Sequence, residues 1–143
     1  GATTASAALT SLGAAPLASP TFTGTVTTST ISNSGSITAK NYVITVPSAT
    51  TAAATTSIDL STGNIFKINL GANITTLSLS NALVGTYILE FIQGGTYTVT
   101  FPTTNWKWSG GSAPTITATS GKTDIVTIVY DGTTYFASAV QNF

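Results

Sequence analysis

The chain has 143 residues, of which 6% are charged and 42% are hydrophobic, and its four lysines balance its four acidic residues. This composition excludes a disordered chain, which needs high charge and low hydrophobicity, and a basic nucleic-acid-binding surface. Its apolar runs, such as Ile125–Tyr130, have the length of a strand and fall far short of the ~18 residues of a spanning helix. Roughly a third of the residues are Ser or Thr. Because β-branched Thr suits a pleated surface, we predict an all-β protein without membrane insertion.

Cys, Met and His are absent from the chain. Their absence removes disulfides, sulfur oxidation and the one side chain that titrates near neutral pH. We therefore expect stability to be nearly constant from about pH 5.5 to 8.5, because carboxylates titrate below this range and lysines above it. This suits a particle exposed outside a cell, although a short Thr-rich β domain can also lack three uncommon residues by chance.

The formal net charge of zero makes a poorly soluble monomer, a problem that a homo-oligomer relieves by hiding surface. The chain begins with Gly1 and shows neither an initiator Met nor the apolar core of a signal peptide. We expect it to be part of a longer protein.

Residues 1–56 are predicted to form a thin N-terminal shaft and linker. Ala5–Ala14 has the spacing of a short helical turn that ends near Gly13. The following run, APLASPTFTGTVTTST, is uncharged, contains two prolines and alternates threonines, so we predict extended chain. It has too few large residues to bury a core of its own.

Residues 57–143 are predicted to form a C-terminal head, an antiparallel β-sandwich of jelly-roll-like outline. Strand-length apolar runs follow one another here, among them NIFKINL, TYILEFIQ, TYTVTF, DIVTIVY and TYFASAV. The Gly94-Gly95 and Asp131-Gly132 pairs favour two tight hairpins. Ile125–Tyr130 is apolar on both faces apart from Thr127, so this strand should be covered on two sides, either within a sandwich or at a subunit interface.

Three pieces of the sequence resemble bacteriophage tail-fibre and receptor-binding fibre proteins. APLASPTFTGTVT, which ends at Thr27, is similar to a segment that recurs along fibre shafts. Ile58–Asn81 and Tyr97–Ser138 are similar to a C-terminal module of many phage fibres, in which TVTWP, KW.GG.AP and D...F...DG..WY follow in that order. The order of the pieces is more specific than any one of them.

The resemblance implies a homotrimeric fibre with a β-structured head at the surface of a virion or a phage-like injection machine. It also implies how the shaft is stabilised, because three copies around a common axis can cover apolar residues that one chain leaves bare. The candidate axis residues are Leu17, Phe22, Val26 and Ile31. The alternative is that this segment is a disordered linker.

We expect neither enzymatic activity nor a metal or cofactor site. The chain lacks the His and Cys of nucleophilic triads and offers only four acids, Asp59, Glu90, Asp124 and Asp131. Asp131 is explained by its hairpin, and Glu90 is expected to have Lys67 or Lys122 as its partner. A carboxylate pair of the glycosidase kind therefore remains only as a remote alternative, assembled between chains.

The segment NWKWSGGS is the best candidate for binding. If it is extended, Trp106 and Trp108 share one face and Lys107 lies on the other. An aromatic face flanked by amide and hydroxyl groups suits sugar recognition, so the candidate receptor site comprises Asn105, Trp106, Lys107, Trp108 and Tyr135. Trp108 matches the KW.GG pattern, which argues for packing, whereas Trp106 departs from it and is the better candidate for exposure. The alternative is that both Trp side chains are core.

The leading hypothesis is the C-terminal part of a trimeric viral fibre that attaches its particle to a host-surface receptor, a glycan. Its partners are then two further copies of itself, the receptor, and the rest of the virion through the preceding part of the chain. One alternative is a purely structural virion fibre that recognises no receptor. The other is a free-standing carbohydrate-binding module, which folds as a monomer.

Overall fold

The computed structural model of the protein describes residues 4, 27, 34–39 and 43–143. The chain divides into two compact units, residues 1–40 and residues 41–143. The predicted helical turn and the candidate axis residues Leu17, Phe22, Val26 and Ile31 lie outside the described residues. All elements named below belong to the second unit.

The second unit is built from strands, which confirms the all-β prediction. A single 3-10 turn, Leu60–Thr62, is the only helical segment within residues 43–143. The strands are β1 Thr50–Thr51, β2 Thr55–Asp59, β3 Ile65–Leu70, β4 Thr76–Ser80, β5 Gly85–Gln93, β6 Trp106–Trp108, β7 Thr123–Tyr130 and β8 Tyr135–Val140. The predicted boundary at residue 57 falls inside β2, and residues 43–56 lie in the second unit.

The strands form one six-stranded sheet in the order β1-β3-β5-β7-β8-β6 and one two-stranded sheet of β2 and β4. The prediction of an antiparallel arrangement is wrong for most pairs. β1 with β3, β3 with β5, β6 with β8 and β2 with β4 are parallel, whereas β5 with β7 and β7 with β8 are antiparallel. The chain alternates between the sheets from β1 to β5, so each return to a sheet is a crossover and the returning strand runs parallel to the previous one.

One of the two predicted hairpins forms. β7 and β8 are antiparallel with Tyr130 opposite Tyr135, and Gly132 in the connecting turn has a φ of 101°. The Asp131 carboxylate accepts hydrogen bonds from the backbone N–H groups of the next two threonines, at 2.8 and 2.7 Å. A left-handed glycine and a capping Asp are what this turn requires.

The hairpin predicted at Gly94-Gly95 is wrong. Beyond β5 the chain makes an isolated parallel bridge, in which Val99 lies opposite Ile74, and does not fold back on β5. Both edges of β5 are already occupied, by β3 on one side and β7 on the other. A glycine pair permits a tight turn, but a hairpin also needs a free strand edge.

The core follows from the alternation of side chains along the strands. In β5 every second residue from Tyr87 to Gln93 is buried, and in β7 the same is true from Asp124 to Ile128. Buried residues of β2 and β4, such as Ile58 and Leu77, join this cluster. One hydrophobic core therefore draws side chains from both sheets.

A buried amide fixes two loops beside the core. Gln93 is 2% exposed, and its Nε2 donates to the backbone oxygens of Tyr97 at 2.8 Å and Thr117 at 2.9 Å. Its Oε1 accepts the backbone N–H of Tyr97 at 3.1 Å. Because buried polar groups are costly unless paired, this amide specifies where both loops lie.

We expect Gly94→Ala to destabilise the protein, because a Cβ at this position would lie 2.5 Å from the backbone oxygen of Leu70. That oxygen already accepts the Gly94 N–H at 2.9 Å, so β3 and the turn after β5 cannot separate without losing the bond. Overpacking of this kind costs about 1–3 kcal/mol, sometimes more. Gly71→Ala is the matched control, since its Cβ would meet nothing within 4 Å. Equal urea midpoints for the two variants would contradict this close approach.

Candidate binding site at the β6 edge

The segment predicted to bind lies at one edge of the six-stranded sheet. β6 is the last strand in the sheet order and pairs in parallel with β8, with Trp106 opposite Tyr135 and Lys107 opposite Phe136. Because successive side chains of a strand point to opposite faces, the two Trp side chains share the inner face and Lys107 lies on the outer one. The predicted arrangement of these three residues is confirmed.

Four aromatic rings stack along this edge, and we call them the aromatic ladder: Trp108, Trp106, Tyr135 and Tyr130. Successive ring centroids are 5.4, 5.3 and 4.3 Å apart, with interplanar angles of 25°, 25° and 22°. Phe101 packs edge-on against Trp108, with a centroid distance of 4.8 Å. Such aromatic pairs contribute about 0.5–1.5 kcal/mol each beyond the area they bury, so the ladder makes the edge rigid.

The position of each Trp in the aromatic ladder determines how much of its side chain is exposed. Trp106 has rings stacked on both sides and is only 7% exposed, whereas Trp108 ends the ladder and is half-buried. The expectation that Trp106 would be the more exposed of the two is therefore wrong. Trp108 therefore offers more surface than Trp106, as do the half-buried Tyr135 and the 48% exposed Phe136 of the same edge.

Two surface grooves border Trp108. One, of about 280 Å³, is lined by Pro102, Thr103, Gly111 and Ser112 together with both Trp residues. The other, of about 360 Å³, is lined by Lys107, Ser109, Phe136 and Ser138 on the other side of the strand. Trp108 therefore lies between two small depressions that carry hydroxyl and backbone polar groups, with one lysine as the only charged group.

The loop after β6 takes its shape from two glycines. Gly110 and Gly111 have φ values of 81° and 88°, in the left-handed region that glycine adopts most readily. The Gly111 N–H donates to the Trp108 oxygen at 3.0 Å, and the Ser109 N–H donates to the Ala137 oxygen at 2.9 Å. These bonds turn the chain back over the groove and hold Trp108 in place.

The indole N–H of Trp108 is buried and has no hydrogen-bond acceptor among the described residues. Such donors are rare in folded proteins, because an unsatisfied buried group costs about 1–3 kcal/mol. A ligand in the adjoining groove does not reach this nitrogen while the indole stays packed against Trp106 and Phe101.

The other predicted site residues lie around the ladder. Asn105 is exposed and has a φ of 61°, and its backbone oxygen accepts the Tyr135 N–H at 2.8 Å, which sets the start of β6 against β8. Tyr135 is half-buried. Burial raises the pKa of its phenol, and the neighbouring Tyr130 and Tyr87 add to the effect. Tyr135 therefore stays neutral throughout the physiological range.

A third groove, of about 350 Å³, was not singled out as a site by the sequence. It lies between residues 43–45, residues 60–64 and the loop 83–85. Tyr87 anchors that loop by donating to the Leu83 oxygen at 2.8 Å and accepting the Leu83 N–H at 2.9 Å. The side chains of Leu83 and Val84 are 73% and 74% exposed. No acidic residue or lysine lines this groove, so a ligand there would find no charged side chain to bind.

The acids do not converge on a reacting centre. Asp59 caps the 3-10 turn, and the Ser61 hydroxyl, the Ser61 N–H and the Asn81 amide hold its pKa below the ordinary value. The hairpin N–H groups of Thr134 and Thr133 lower the pKa of Asp131 in the same way. Each carboxylate serves the turn in which it lies.

Glu90 lies on the outer face of β5 directly opposite Lys67 of β3, one of the two partners expected for it. Among the described residues, His, Cys, Asp and Glu side chains form no group of three that could hold a metal ion. No arrangement for acid–base or metal chemistry is therefore found in the part of the chain that the structure describes.

No protein-family model, curated protein sequence or solved structure gives a significant match to this chain. Within the described residues, no helix has the length and apolar character to cross a membrane.

Proposed function

We propose that this chain is the C-terminal part of a homotrimeric phage-type fibre at a virion surface, and that its second unit attaches the particle to a glycan on the host surface. The observation that carries the proposal is the half-buried Trp108, which ends a stacked aromatic ladder between two small grooves that also carry hydroxyl groups. The fibre part of the proposal rests on the resemblance of the shaft segment and of the C-terminal pieces.

Glycan chemistry suits this edge better than other ligand classes. Sugars present an apolar ring face together with hydroxyl groups, and an aromatic ring beside polar groups complements both. Lys107 is the only charged side chain in either groove, so a strongly anionic ligand would find little to neutralise it.

The proposed head is a β-sandwich, although its four parallel strand pairs do not fit the antiparallel order of a jelly roll. In support of this, the six-stranded and two-stranded sheets contribute to one core, and the polar loops after β6 and β7 lie at the ends of strands. Loops held by a rigid scaffold are where binding specificity usually lies. The order of the strands within the sheets is not that of a simple antiparallel sandwich.

We expect Trp108→Ala to reduce glycan binding by about tenfold or more, as truncation of a central aromatic contact commonly does. The full-length chain would be screened on a glycan array and titrated with each glycan that binds. Trp108→Phe separates binding from folding, because it keeps a ring against Trp106 and Phe101 while reducing the exposed surface. Leu83→Ala is the matched control, since it removes an exposed apolar side chain from the other groove.

The same experiment distinguishes the alternatives. Unchanged binding by Trp108→Ala, with loss in Leu83→Ala, would move the site to the third groove, which Leu83 lines. An oligomeric chain that binds no glycan and no host cell would favour the purely structural fibre. A monomer of 14.4 kDa that binds glycan would identify a free-standing carbohydrate-binding module and contradict the fibre.

A further inference from the structure

A groove with many threonines lies next to the proposed glycan site. It has a volume of about 340 Å³, and we call it the threonine groove. Five of its eight lining residues carry a hydroxyl group, which can both donate and accept hydrogen bonds. None of the eight is charged, and they are Thr75, Thr76, Leu77, Thr100, Phe101, Pro102, Thr103 and Thr104.

The threonine groove shares two lining residues with a groove beside Trp108. Pro102 and Thr103 line both the threonine groove and the groove of about 280 Å³, which we call the inner groove. Phe101 also connects them, because it lines the threonine groove and its ring packs edge-on against Trp108 at 4.8 Å. The two grooves are therefore neighbouring parts of one surface region.

Backbone hydrogen bonds hold the threonine groove in shape. The Ile74 N–H donates to the Thr98 oxygen at 2.9 Å, and the Thr100 N–H donates to the Ile74 oxygen at 2.8 Å. The Thr75 hydroxyl donates to the Ala54 oxygen at 2.9 Å, so toward a ligand it acts as an acceptor. Because a preformed site loses little conformational entropy on binding, its hydroxyl groups can contribute fully to affinity.

We propose that the bound glycan extends from Trp108 past Pro102 and Thr103 into the threonine groove, and that it is an uncharged oligosaccharide. The inference rests on the proposed glycan attachment and adds the length and the charge of the ligand. Ligand pockets usually have about 300–1,000 Å³, so each of these grooves alone is small. A chain of sugar units that occupies both grooves gains contacts that a single unit cannot make.

The linings of both grooves favour sugars without charge. Neither lining contains an acid or a lysine, and Lys107 lines only the groove on the other side of β6. A carboxylate or sulfate group would lose water here without gaining a cation, which is costly. The hydroxyl groups of a neutral sugar, in contrast, find threonines in one groove and Thr103 and Ser112 in the other.

Affinity is expected to rise with the length of the oligosaccharide. The probes are uncharged homo-oligosaccharides of glucose, galactose, mannose and N-acetylglucosamine, from the monosaccharide to the hexasaccharide, titrated into the full chain by calorimetry. In the series that binds best, the longest member should bind at least about tenfold more tightly than the monosaccharide, because a second linked contact adds to the first. Equal affinities at every length would overturn the inference and leave glycan attachment intact.

The double variant Thr76→Val with Thr100→Val tests the threonine groove, because it removes two hydroxyl groups and retains the β-branched shape. It should weaken binding of the longest oligosaccharide by about tenfold and leave binding of the monosaccharide unchanged. Thr55→Val with Thr98→Val is the matched control. Thr55 lies opposite Thr76 in the strand register, Thr98 is two residues before Thr100, and both are exposed without lining the groove. Equal losses in the two double variants would overturn the placement of the glycan.

The charge of the ligand provides a separate readout. Binding of the longest oligosaccharide should change by less than about twofold between low and high salt, since no ion pair is involved. Array binding confined to charged glycans would overturn the inference alone. Binding of no glycan at all by the folded full chain would overturn the proposed receptor function together with the inference.

Discussion

Asp124→Ala is expected to lower the free energy of unfolding by about 2–6 kcal/mol, since two partly buried backbone N–H groups would each lose a bond to a buried carboxylate, at about 1–3 kcal/mol each. Asp124 is 1% exposed and lies at the start of β7. Its carboxylate accepts the backbone N–H of Thr117 at 2.6 Å and that of Asn142 at 2.8 Å, and the Gln141 amide adds a bond at 3.2 Å. One side chain thereby holds both the loop before β7 and the C-terminal residues.

Urea unfolding of the full chain measures this effect. Asp124→Asn retains the shape but turns an NH₂ group toward one of the backbone donors, so it should also be destabilised. Asp131→Ala is the control, since its carboxylate also accepts two backbone N–H groups but lies in an exposed turn where water can replace it. Equal urea midpoints for Asp124→Ala and Asp131→Ala would show that burial of the Asp124 carboxylate adds nothing to its contribution to stability.

The same carboxylate determines the response to acid. Burial by itself raises the pKa of Asp124, but the hydrogen bonds from Thr117, Asn142 and Gln141 outweigh burial and hold it below the ordinary 3.8. Because the folded-state pKa is lower than the unfolded one, the stabilisation is complete above about pH 4 and is lost as the pH falls further. Melting temperatures measured against pH should therefore decline below about pH 4, and the decline should be shallower in Asp124→Ala.

The raised pKa of Tyr135 sets the upper pH limit of full stability. Its stabilisation is complete below the ordinary value of 10.0 and is lost as the pH rises through the higher folded-state value. The plateau expected from composition, about pH 5.5 to 8.5, lies between these two limits. A melting temperature that changed by many degrees between about pH 5.5 and 8.5 would contradict the lowered pKa of Asp124 and the raised pKa of Tyr135 as the lower and upper limits of this range.

Trp106→Ala is expected to destabilise the protein by about 3–5 kcal/mol, the usual cost of truncating a buried Trp. Trp106 is 7% exposed and stacks between Trp108 and Tyr135 at centroid distances of 5.4 and 5.3 Å. Its removal would interrupt the aromatic ladder at its centre. A small domain has only about 5–15 kcal/mol of stability in total, so this variant should unfold at a much lower urea concentration.

Lys107→Ala is the control for Trp106→Ala, because its side chain is exposed on the other face of the same strand and should change stability by no more than about 0.5 kcal/mol. Loss of receptor binding in Trp106→Ala would therefore report unfolding and would not identify a contact. A Trp106→Ala variant of unchanged stability would contradict the packing of the ladder. The contact itself is tested at Trp108.

The local features of this site could be predicted from sequence because they depend on residues close in the chain. Alternation along NWKW places Trp106 and Trp108 on one face and Lys107 on the other, whatever the strand pairs with. The turn at Asp131-Gly132 forms because the capping carboxylate and the left-handed glycine are both within the turn. The high content of Thr and the short apolar runs indicated β-structure for the same reason.

The sequence by itself therefore determined the secondary structure class, the faces of the strands and the most local turn. Only the tertiary structure decided which strands are neighbours, that most pairs are parallel, and that Trp106 is buried while Trp108 is half-buried. It also decided that Asp124 holds the C-terminal residues. The physical reason is that alternation fixes the direction of a side chain relative to its own strand, whereas burial depends on segments far away in the chain that come to lie against it.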